Sequence, residues 1–248
     1  NQEYFSVSQY KNFMRCEARA MAELSGEYER PVTKALLVGS FVDCYFDGTL
    51  DSFMKENPGI YTRRRELRAD FKRANQIIEI VKTDPKFMDS MSGEKQRIFT
   101  FEMFGVKWKI KLDSYNPGKA ITDLKVVARM DRLPQWRYDI QGAVYQKGVE
   151  ICTGDRLPFY LAVVTKEKVL DRDIWQIPQS TLDYALRQVE ENIGRYVDIK
   201  EGRIEPEHCG KCDYARASKR QRCGITMNCW RLGHETDKNF NRQGTDQV

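Results

Sequence analysis

The feature that most constrains the fold is a pair of neighbouring segments in the middle of the chain, each with the pattern of a β-strand. Apolar and charged residues alternate strictly over residues 106–113, which gives that strand one apolar and one charged face. The turn sequence Asn-Pro-Gly-Lys follows at residues 116–119, and residues 120–127 form a second, mostly apolar strand. The pattern therefore predicts a hairpin or meander in which the second strand returns to the end of the first.

Charged residues lie where these two strands would meet. Asp113 ends the alternating strand, and Asp123 and Lys125 interrupt the apolar strand two positions apart, so that both point to one face. Such charges are costly to bury unless they are paired or bind a metal. Two carboxylates suit Mg²⁺ or Mn²⁺, and an adjacent ammonium group can stabilise the transition state of phosphodiester hydrolysis. The alternative is a surface ion pair, which contributes only about 0–1 kcal/mol.

The rest of the pattern predicts helices around this small sheet. In chain order, we expect helices at 6–26, 33–46 and 72–82, strands at 98–103, 106–113 and 120–127, a helix at 135–150, strands at 159–164 and 173–177, and a helix at 180–202 that Ser180 would cap. This order predicts an α/β (α+β mixed) fold with a small central mixed sheet flanked by helices.

The length of 248 residues suits one large domain or two small ones. We predict a single domain over residues 1–233, made of a helical part at 1–92, a catalytic core at 93–202 and a cysteine-rich segment at 203–233. Residues 234–248 are polar and are predicted to form a disordered tail. The sequence has no long apolar run and begins without an apolar signal segment, so we expect a cytoplasmic protein that does not enter a membrane.

Four of the seven cysteines are concentrated near the C-terminus, at Cys209, Cys212, Cys223 and Cys229. Without a secretory signal, metal ligation is a better interpretation of this spacing than disulfide formation. Thiolates two residues apart, as at Cys209 and Cys212, bind Zn²⁺ or iron–sulfur clusters. The residues alone leave three interpretations open: an iron–sulfur cluster, a Zn²⁺ site made of these four cysteines, or free thiols in a mobile tail.

The charge balance is mildly basic, with 41 Lys+Arg against 36 Asp+Glu and a net charge of +5. Arg63, Arg64, Arg65 and Arg68 belong to a segment, residues 57–68, with the pattern of a mobile loop. These arginines could follow a phosphate backbone or form an ordinary solvated surface. The sequence has no phosphate-binding loop, no dinucleotide fingerprint and no nucleophile elbow, and its two histidines do not suit a catalytic triad.

The order of these residues resembles the PD-(D/E)xK nuclease superfamily. The motif reads Gly39-Ser40-x-x-Asp43, then Asp113, then Asp123-Leu124-Lys125, then Gln141-x-x-x-Tyr145. The likeness covers about residues 6–222 and is strongest to RecB-type nuclease domains, RecE-like phage exonucleases and CRISPR-associated adaptation exonucleases. It implies a restriction-endonuclease-like core and a Mg²⁺-dependent exodeoxyribonuclease that acts in phage or prophage recombination or DNA processing. Two alternatives are an endonuclease on the same scaffold and a non-catalytic DNA-binding module with a structural zinc or iron–sulfur site.

The resemblance also implies roles for single residues. It implies metal ligation by three carboxylates and one backbone carbonyl: Asp43, Asp113, Asp123 and Leu124. Lys125 would be the catalytic lysine, while Gln141 and Tyr145 would contact the DNA backbone or brace the site. Many relatives have His at the position of Asp43, which could instead be a charge on a helix surface.

A further implication of the resemblance is a [4Fe–4S] cluster that ties the two ends of the chain together. Its ligands would be Cys16, Cys209, Cys212 and a fourth cysteine, Cys223 or else Cys229, because Ala215 stands where relatives often have cysteine. Zn²⁺ is the less favoured occupant. The implied partner is DNA, and the resemblance also allows for further copies of this chain and for a recombination annealing protein.

Overall fold

The computed structural model describes residues 3–222, apart from the side chains of Arg132 and residues 219–222. The predicted ligands Cys223 and Cys229 and the predicted tail lie outside these residues. The mixed α/β fold predicted from the sequence is confirmed. The helices are α1 (Val7–Arg15), α2 (Glu17–Ser25), α3 (Lys34–Phe46), α4 (Leu50–Glu56), α5 (Ala69–Lys82), α6 (Pro85–Ser90), α7 (Tyr138–Thr153), α8 (Gln179–Lys200) and α9 (Asp213–Arg222). The strands are β1 (Arg97–Met103), β2 (Val106–Leu112), β3 (Ser114–Asn116), β4 (Ala120–Val127), β5 (Phe159–Thr165) and β6 (Arg172–Gln176).

The strands form two sheets that separate at Asp113. Strands β1 and β2 make an antiparallel hairpin, and the second sheet has the order β3-β4-β5-β6. Strand β4 pairs antiparallel with β3 and parallel with β5, because the chain crosses through α7 between β4 and β5. The predicted hairpin, in which the alternating strand pairs with β4, is wrong about which strand pairs with β4. Strand β2 pairs with β1, and the three-residue β3, which is too short to show a period, makes the pairing with β4.

Helices cover both faces of the four-stranded sheet. Ile121 and Val127 of β4 pack in a core with α1, α7 and α8, whereas Leu124 packs in a second core with α3, α5 and α6. Successive side chains of a strand point to opposite faces, so Asp123 and Lys125 point toward α7. The predicted bounds of β4 agree with the structure, and this strand carries the residues of the candidate site.

The predicted N-terminal helix is broken into α1 and α2 by Cys16. Cys16 has an extended backbone, with φ −169° and ψ 108°, and one residue of this kind does not disturb the apolar period. Helix α1 begins with a capping box, in which the Ser6 side chain accepts a hydrogen bond from the Gln9 backbone N–H at 3.2 Å. The predicted cap at Ser180 is wrong, because α8 begins at Gln179 and Ser180 lies inside its first turn.

The arginine-containing segment, residues 57–68, has a defined backbone path. It begins with a 3₁₀ turn over Pro58–Ile60, and Tyr61 forms a β-bridge with Leu67. Arg68 Nε donates hydrogen bonds to the carbonyls of Gly59 at 2.8 Å and Tyr61 at 3.1 Å. In the part of the chain that the structure describes, no helix is both long and apolar enough to cross a bilayer.

Candidate active site

The pairing of β3 with β4 brings the two predicted acidic ligands together. Ser114 lies opposite Thr122 in the antiparallel register, so the preceding Asp113 lies next to Asp123 at the point where the two sheets separate. The Asp113 Oδ2 atom accepts a hydrogen bond from the Leu124 backbone N–H at 3.0 Å. This bond holds the Asp113 carboxylate against the edge of β4.

Asp123 is the buried centre of the site. It is 1% exposed, and its Oδ1 atom accepts a hydrogen bond from Gln141 Nε2 at 2.8 Å. Its Oδ2 atom lies against the ammonium group of Lys125, which also donates to the Leu124 carbonyl at 3.1 Å. The Lys125 side chain is 18% exposed, so one side of the ion pair reaches solvent. The structure therefore brings Asp113, Asp123 and Lys125 to one edge of the sheet.

Asp43 approaches the same place from the other face of the sheet. It lies near the end of α3 and lines a small cavity together with Asp113, the backbone-ligand candidate Leu124 and Asp47. Asp47 was missed by the sequence analysis, although it follows Asp43 by one helical turn and so shares its side of α3. We call Asp43, Asp113, Asp123 and Lys125 the carboxylate site.

The carboxylate site carries more negative than positive charge. Burial raises the pKa of Asp123 to about 7, and repulsion from Asp113 adds to this effect while Lys125 opposes it. Burial likewise raises the pKa of Asp43 to about 7, again with repulsion from Asp113. Burial lowers the pKa of Lys125, but attraction to Asp123 and Asp113 outweighs it, so the Lys125 pKa is raised overall and the lysine is charged. A further cation would relieve the repulsion among the carboxylates.

The residues present fit a divalent cation. The carboxylates of Asp43, Asp113 and Asp123 are hard oxygen donors, as Mg²⁺ and Mn²⁺ prefer, and the buried Asp123 Oδ2 atom lies against the Lys125 ammonium group. Within residues 3–222, the set of three or more ligand atoms that all lie within 4.8 Å of one another consists of cysteines and not of these carboxylates. Mg²⁺ nevertheless needs only one or two carboxylates, because water and substrate phosphate complete its coordination.

Helix α7 supports Asp123 through a close approach to the sheet. An added Cβ at Gly142 would lie 2.4 Å from Phe159 Cδ1, so only glycine allows this separation between helix and strand. Gln141 is 9% exposed and reaches Asp123 from the neighbouring position. Tyr145 lies one turn further along, with its ring edge against Phe159 at a centroid distance of 6.2 Å, and burial raises its pKa. Gln141 therefore contacts Asp123 directly, and Tyr145 packs against β5 one turn further along α7.

A second lysine lies close to Lys125 and was missed by the sequence analysis. Lys11 Nζ and Lys125 Nζ each lie 5.2 Å from the centre of the Tyr138 ring. Burial and repulsion from Lys125 lower the pKa of Lys11 to about 8. The signal in the sequence was that Lys11 follows the buried Val7 by one turn, within the apolar stripe of α1.

The predicted arginines lie apart from the carboxylates. Arg63, Arg64 and Arg65 are exposed on the turn that the Tyr61–Leu67 bridge closes. Arg68 lines a cavity with Lys34, at the opposite end of α3 from Asp43. Nine residues of helix separate Lys34 from Asp43, which is about 13 Å at 1.5 Å per residue. Arg68 holds the loop backbone, so Arg63–65 are the arginines available to a ligand.

Three predicted cysteine ligands meet at the break between α1 and α2. The Sγ atoms of Cys16, Cys209 and Cys212 lie within 4.8 Å of one another. Cys209 N donates to Cys16 Sγ at 3.5 Å and Cys212 N donates to Cys209 Sγ at 3.4 Å. Backbone N–H groups of Lys211 and Cys212 lower the pKa of Cys209 to about 6, which favours the thiolate that binds metals. We call these residues the cysteine cluster.

Contacts around the cysteine cluster fasten the two ends of the described chain together. Arg195 donates to both carboxylate oxygens of Glu17, at 2.7 and 2.8 Å. The Glu207 backbone N–H donates to Glu17 at 2.8 Å, and the Ala18 N–H donates to the Glu207 carbonyl at 3.1 Å. Ala215 is buried and donates its N–H to Cys212 Sγ at 3.4 Å. The cluster thus offers three thiols on a fixed frame.

Comparisons with known proteins agree with this architecture. A "putative exonuclease" from Eubacterium rectale, known from a crystal structure, is 47% identical to the chain and superposes with a TM-score of 0.84 over 88% of each chain. The structure of SSO0001 is 13% identical, covers 81% of this chain and 92% of that chain, and has a TM-score of 0.34, which is too low to support an argument. No curated protein matches the sequence. Residues 6–218 match the family described as a PDDEXK-like domain of unknown function (DUF3799), so the chain belongs to this family, as its resemblance to PD-(D/E)xK nucleases predicts.

Proposed function

We propose that the protein is a metal-dependent deoxyribonuclease that hydrolyses DNA phosphodiester bonds from an end. The observation that supports this most strongly is the meeting of Asp113, Asp123 and Lys125 at one edge of the sheet. The similar chain from Eubacterium rectale, described as a "putative exonuclease", favours digestion from ends over internal cleavage. We assign the activity to phage or prophage recombination or DNA processing.

The metal would be Mg²⁺ or Mn²⁺, held by Asp113, Asp123 and the Leu124 carbonyl, with Asp43 as a further ligand. When bound, it supplies Lewis acidity to the phosphoryl oxygen and a nucleophilic hydroxide. Asp123 must be ionised for this purpose, and Gln141 holds its Oδ1 atom, so Oδ2, which faces Lys125, is the oxygen that would bind the metal. Raising the pH above about 7 ionises Asp123 and therefore favours metal binding at the site.

Lys125 is charged and already lies beside both Asp123 and the Leu124 carbonyl. In the proposed reaction it donates hydrogen bonds to the phosphate, where negative charge grows in the transition state. Lys11, whose Nζ also lies 5.2 Å from the centre of the Tyr138 ring, adds a second positive charge for the substrate backbone. Gln141 and Tyr145 position Asp123, and the exposed Arg63–65 contact phosphates further along the DNA.

We further propose that the cysteine cluster holds a [4Fe–4S] cluster, with Zn²⁺ as the alternative. Three thiols from both ends of the chain lie within 4.8 Å of one another, and the lowered pKa of Cys209 provides a thiolate near neutral pH. Iron and zinc analysis of anaerobically purified protein decides between them. Iron with inorganic sulfide is expected, zinc alone would support the alternative, and absence of both would contradict the metal site.

The proposed activity is tested by incubating the protein and Mg²⁺ with the same DNA in linear and in closed circular form. We expect loss of linear DNA, while the closed circle persists because it offers no end. Cleavage of the circle would favour an endonuclease on this scaffold. Binding of linear DNA without hydrolysis at any Mg²⁺ or Mn²⁺ concentration would favour a non-catalytic DNA-binding module. A DNA-annealing protein from the same genome, assayed with the digested product, tests the proposed recombination setting.

A further inference from the structure

A second concave site adjoins the carboxylate site on the α7 face of the sheet. A pocket of about 340 Å³ lies between the turn before α7, strand β6 and the start of α8. This volume is at the lower end of the range of about 300–1,000 Å³ for small-molecule sites. Its walls are two aromatic rings and several aliphatic side chains, among them Tyr138, Leu161, Trp175 and Ile177. A wall of this kind suits a flat ligand with apolar faces.

The pocket lies in the same row of the sheet as the proposed metal ligand. Asp123 pairs with Leu161, and Leu161 pairs with Trp175, so the three residues form one line across β4, β5 and β6. Two strand spacings separate Asp123 from Trp175, which is about 10 Å between their backbones. Tyr138 connects the two sites directly, because it lines the pocket and its ring centre is 5.2 Å from Lys125 Nζ.

The pocket is held in a fixed shape. The Trp175 ring donates its Nε1–H to the Asp173 carboxylate on the same strand. Arg137, at the rim, donates to Asp139 from Nε at 3.0 Å and also donates to Gln188 on α8. Lys11 adds a positive charge beside the pocket, because its Nζ lies 5.2 Å from the centre of the Tyr138 ring. An aromatic platform beside positive charge is the arrangement by which proteins hold the bases and phosphates of single-stranded nucleic acid.

We propose that this pocket receives one unpaired nucleobase of the DNA strand whose phosphate lies at the carboxylate site. The proposal rests on the proposed nuclease function and names the form of its substrate. A base enclosed between Tyr138 and Trp175 cannot remain stacked and paired within a duplex. The enzyme therefore acts on single-stranded DNA or on a frayed end, and it reads the presence of a base at one fixed position from the phosphate that it cleaves.

The test is a scan of single-stranded oligonucleotides in which an abasic unit replaces one nucleotide at a time. Binding is measured with Ca²⁺ in place of Mg²⁺, so that the DNA stays intact. For the unaltered protein we expect one position at which loss of the base weakens binding roughly tenfold. Trp175→Ala should weaken binding of intact DNA by a similar factor and remove the effect of the abasic unit at that position. Trp175→Phe should restore most of the affinity for intact DNA and most of the effect of the abasic unit.

The matched control is Tyr184→Ala, which removes an aromatic ring that is 56% exposed on α8. It should keep both the affinity and the position-specific effect. The proposal is overturned if Trp175→Ala, shown to be folded by its thermal transition, keeps the abasic effect, or if the unaltered protein shows none. In those cases digestion of linear DNA can persist, and the proposed function survives. If the unaltered protein neither binds nor digests DNA, the function itself has failed together with the pocket.

Discussion

The carboxylate site and the cysteine cluster both gather negative charge, but they are built from different parts of the chain. Asp113, Asp123 and Lys125 belong to neighbouring strands within thirteen residues of sequence, and strand register alone brings them together. Cys16 and Cys209 belong to opposite ends of the described chain and meet because α1 breaks at Cys16. Three of the four residues of the first site thus belong to one sheet edge, to which α3 adds Asp43, whereas the second site depends on the whole fold.

The two sites also shift the pKa values of their acidic groups in opposite directions. Burial and mutual repulsion raise the pKa of Asp123 and Asp43 to about 7, whereas backbone donors lower the pKa of Cys209 to about 6. The carboxylates are thus destabilised until a cation arrives, and the thiolate is stabilised before it. We therefore expect metal at the carboxylate site to serve the reaction, and metal at the cysteine cluster to serve the fold.

The largest expected effect is on the reaction, from Lys125→Ala. Digestion of linear DNA should fall by about 10²–10³-fold, the usual effect of removing one donor to a developing negative charge. The matched control is Lys109→Ala, which removes an exposed lysine from the charged face of β2 and should leave the rate unchanged. Equal rates for the two variants would contradict the role of Lys125.

Cys16→Ser should instead change the metal content and the stability of the protein. We expect it to lose the iron or zinc of the cysteine cluster and to lower the unfolding temperature by several degrees, because metal binding to the folded state adds to stability. Cys152→Ser, at an exposed cysteine outside the cluster, should change neither quantity. Metal content that is the same in both variants would remove the cluster assignment. Mn²⁺ binding at the carboxylate site should persist in folded Cys16→Ser.

The pH dependence of stability should have opposite signs at the two sites. The folded pKa of Asp123 lies near 7 rather than at 3.8, so the folded state binds this proton more tightly than the unfolded state does. The free energy of unfolding of the metal-free protein should therefore fall as pH rises from 3.8 to about 7. Urea unfolding in chelator measures this, and Asp123→Asn should reduce the slope. An unchanged slope would mean that burial of Asp123 does not destabilise the carboxylate.

Cys209 contributes to the pH dependence of the free energy of unfolding with the opposite sign to Asp123. Its pKa is lowered from 9.0 to about 6, so its contribution to stability is present above pH 9.0 and is lost as pH falls toward 6. The effect is small because Cys209 is only half-buried and solvent screens its charge. Cys209→Ser should flatten the rise in unfolding free energy between these pH values. The prediction is contradicted if the variant keeps the rise seen in the unaltered metal-free protein.

The smallest expected effect tests the support that α7 gives to the carboxylate site. Gly142→Ala forces a Cβ to 2.4 Å from Phe159, and overpacking of this kind costs about 1–3 kcal/mol. Gly194→Ala, on α8 with open space around it, should instead stabilise by about 0.5–1 kcal/mol through helix propensity. Thermal unfolding of both variants measures the difference. Similar shifts would show that the distance between α7 and β5 does not matter.

The sequence predicts those strands, helices and shared faces that follow from a local, periodic pattern of residues. The bounds of β4 could be predicted because its apolar run follows a clear turn signal, and the two-residue spacing of Asp123 and Lys125 gives their common face. Strand β3 could not be predicted, because three residues have no period. The break at Cys16 was missed for a similar reason, since a single extended residue leaves the apolar stripe of the two helices almost in phase.

Residues that join a site through tertiary packing escaped prediction. Lys11 lies on α1, far in sequence from Lys125, and only the packing of α1 against the start of α7 brings both lysines to Tyr138. The alignment of Trp175 with Asp123 depends on the register of β4, β5 and β6, which no local pattern gives. The meeting of Cys16 with Cys209 was implied by family resemblance alone, because no local pattern connects residues so far apart.

The central claim, that the edge of β4 holds a catalytic divalent cation, is tested most directly by anomalous diffraction from crystals soaked in Mn²⁺. The account predicts a peak between the carboxylates of Asp113 and Asp123, in contact with the Leu124 carbonyl, and loss of that peak in crystals of Asp123→Asn. A site without a peak at saturating Mn²⁺, with Lys125 still paired to Asp123, would mean that the lysine already satisfies the carboxylate and that the edge of the sheet is structural.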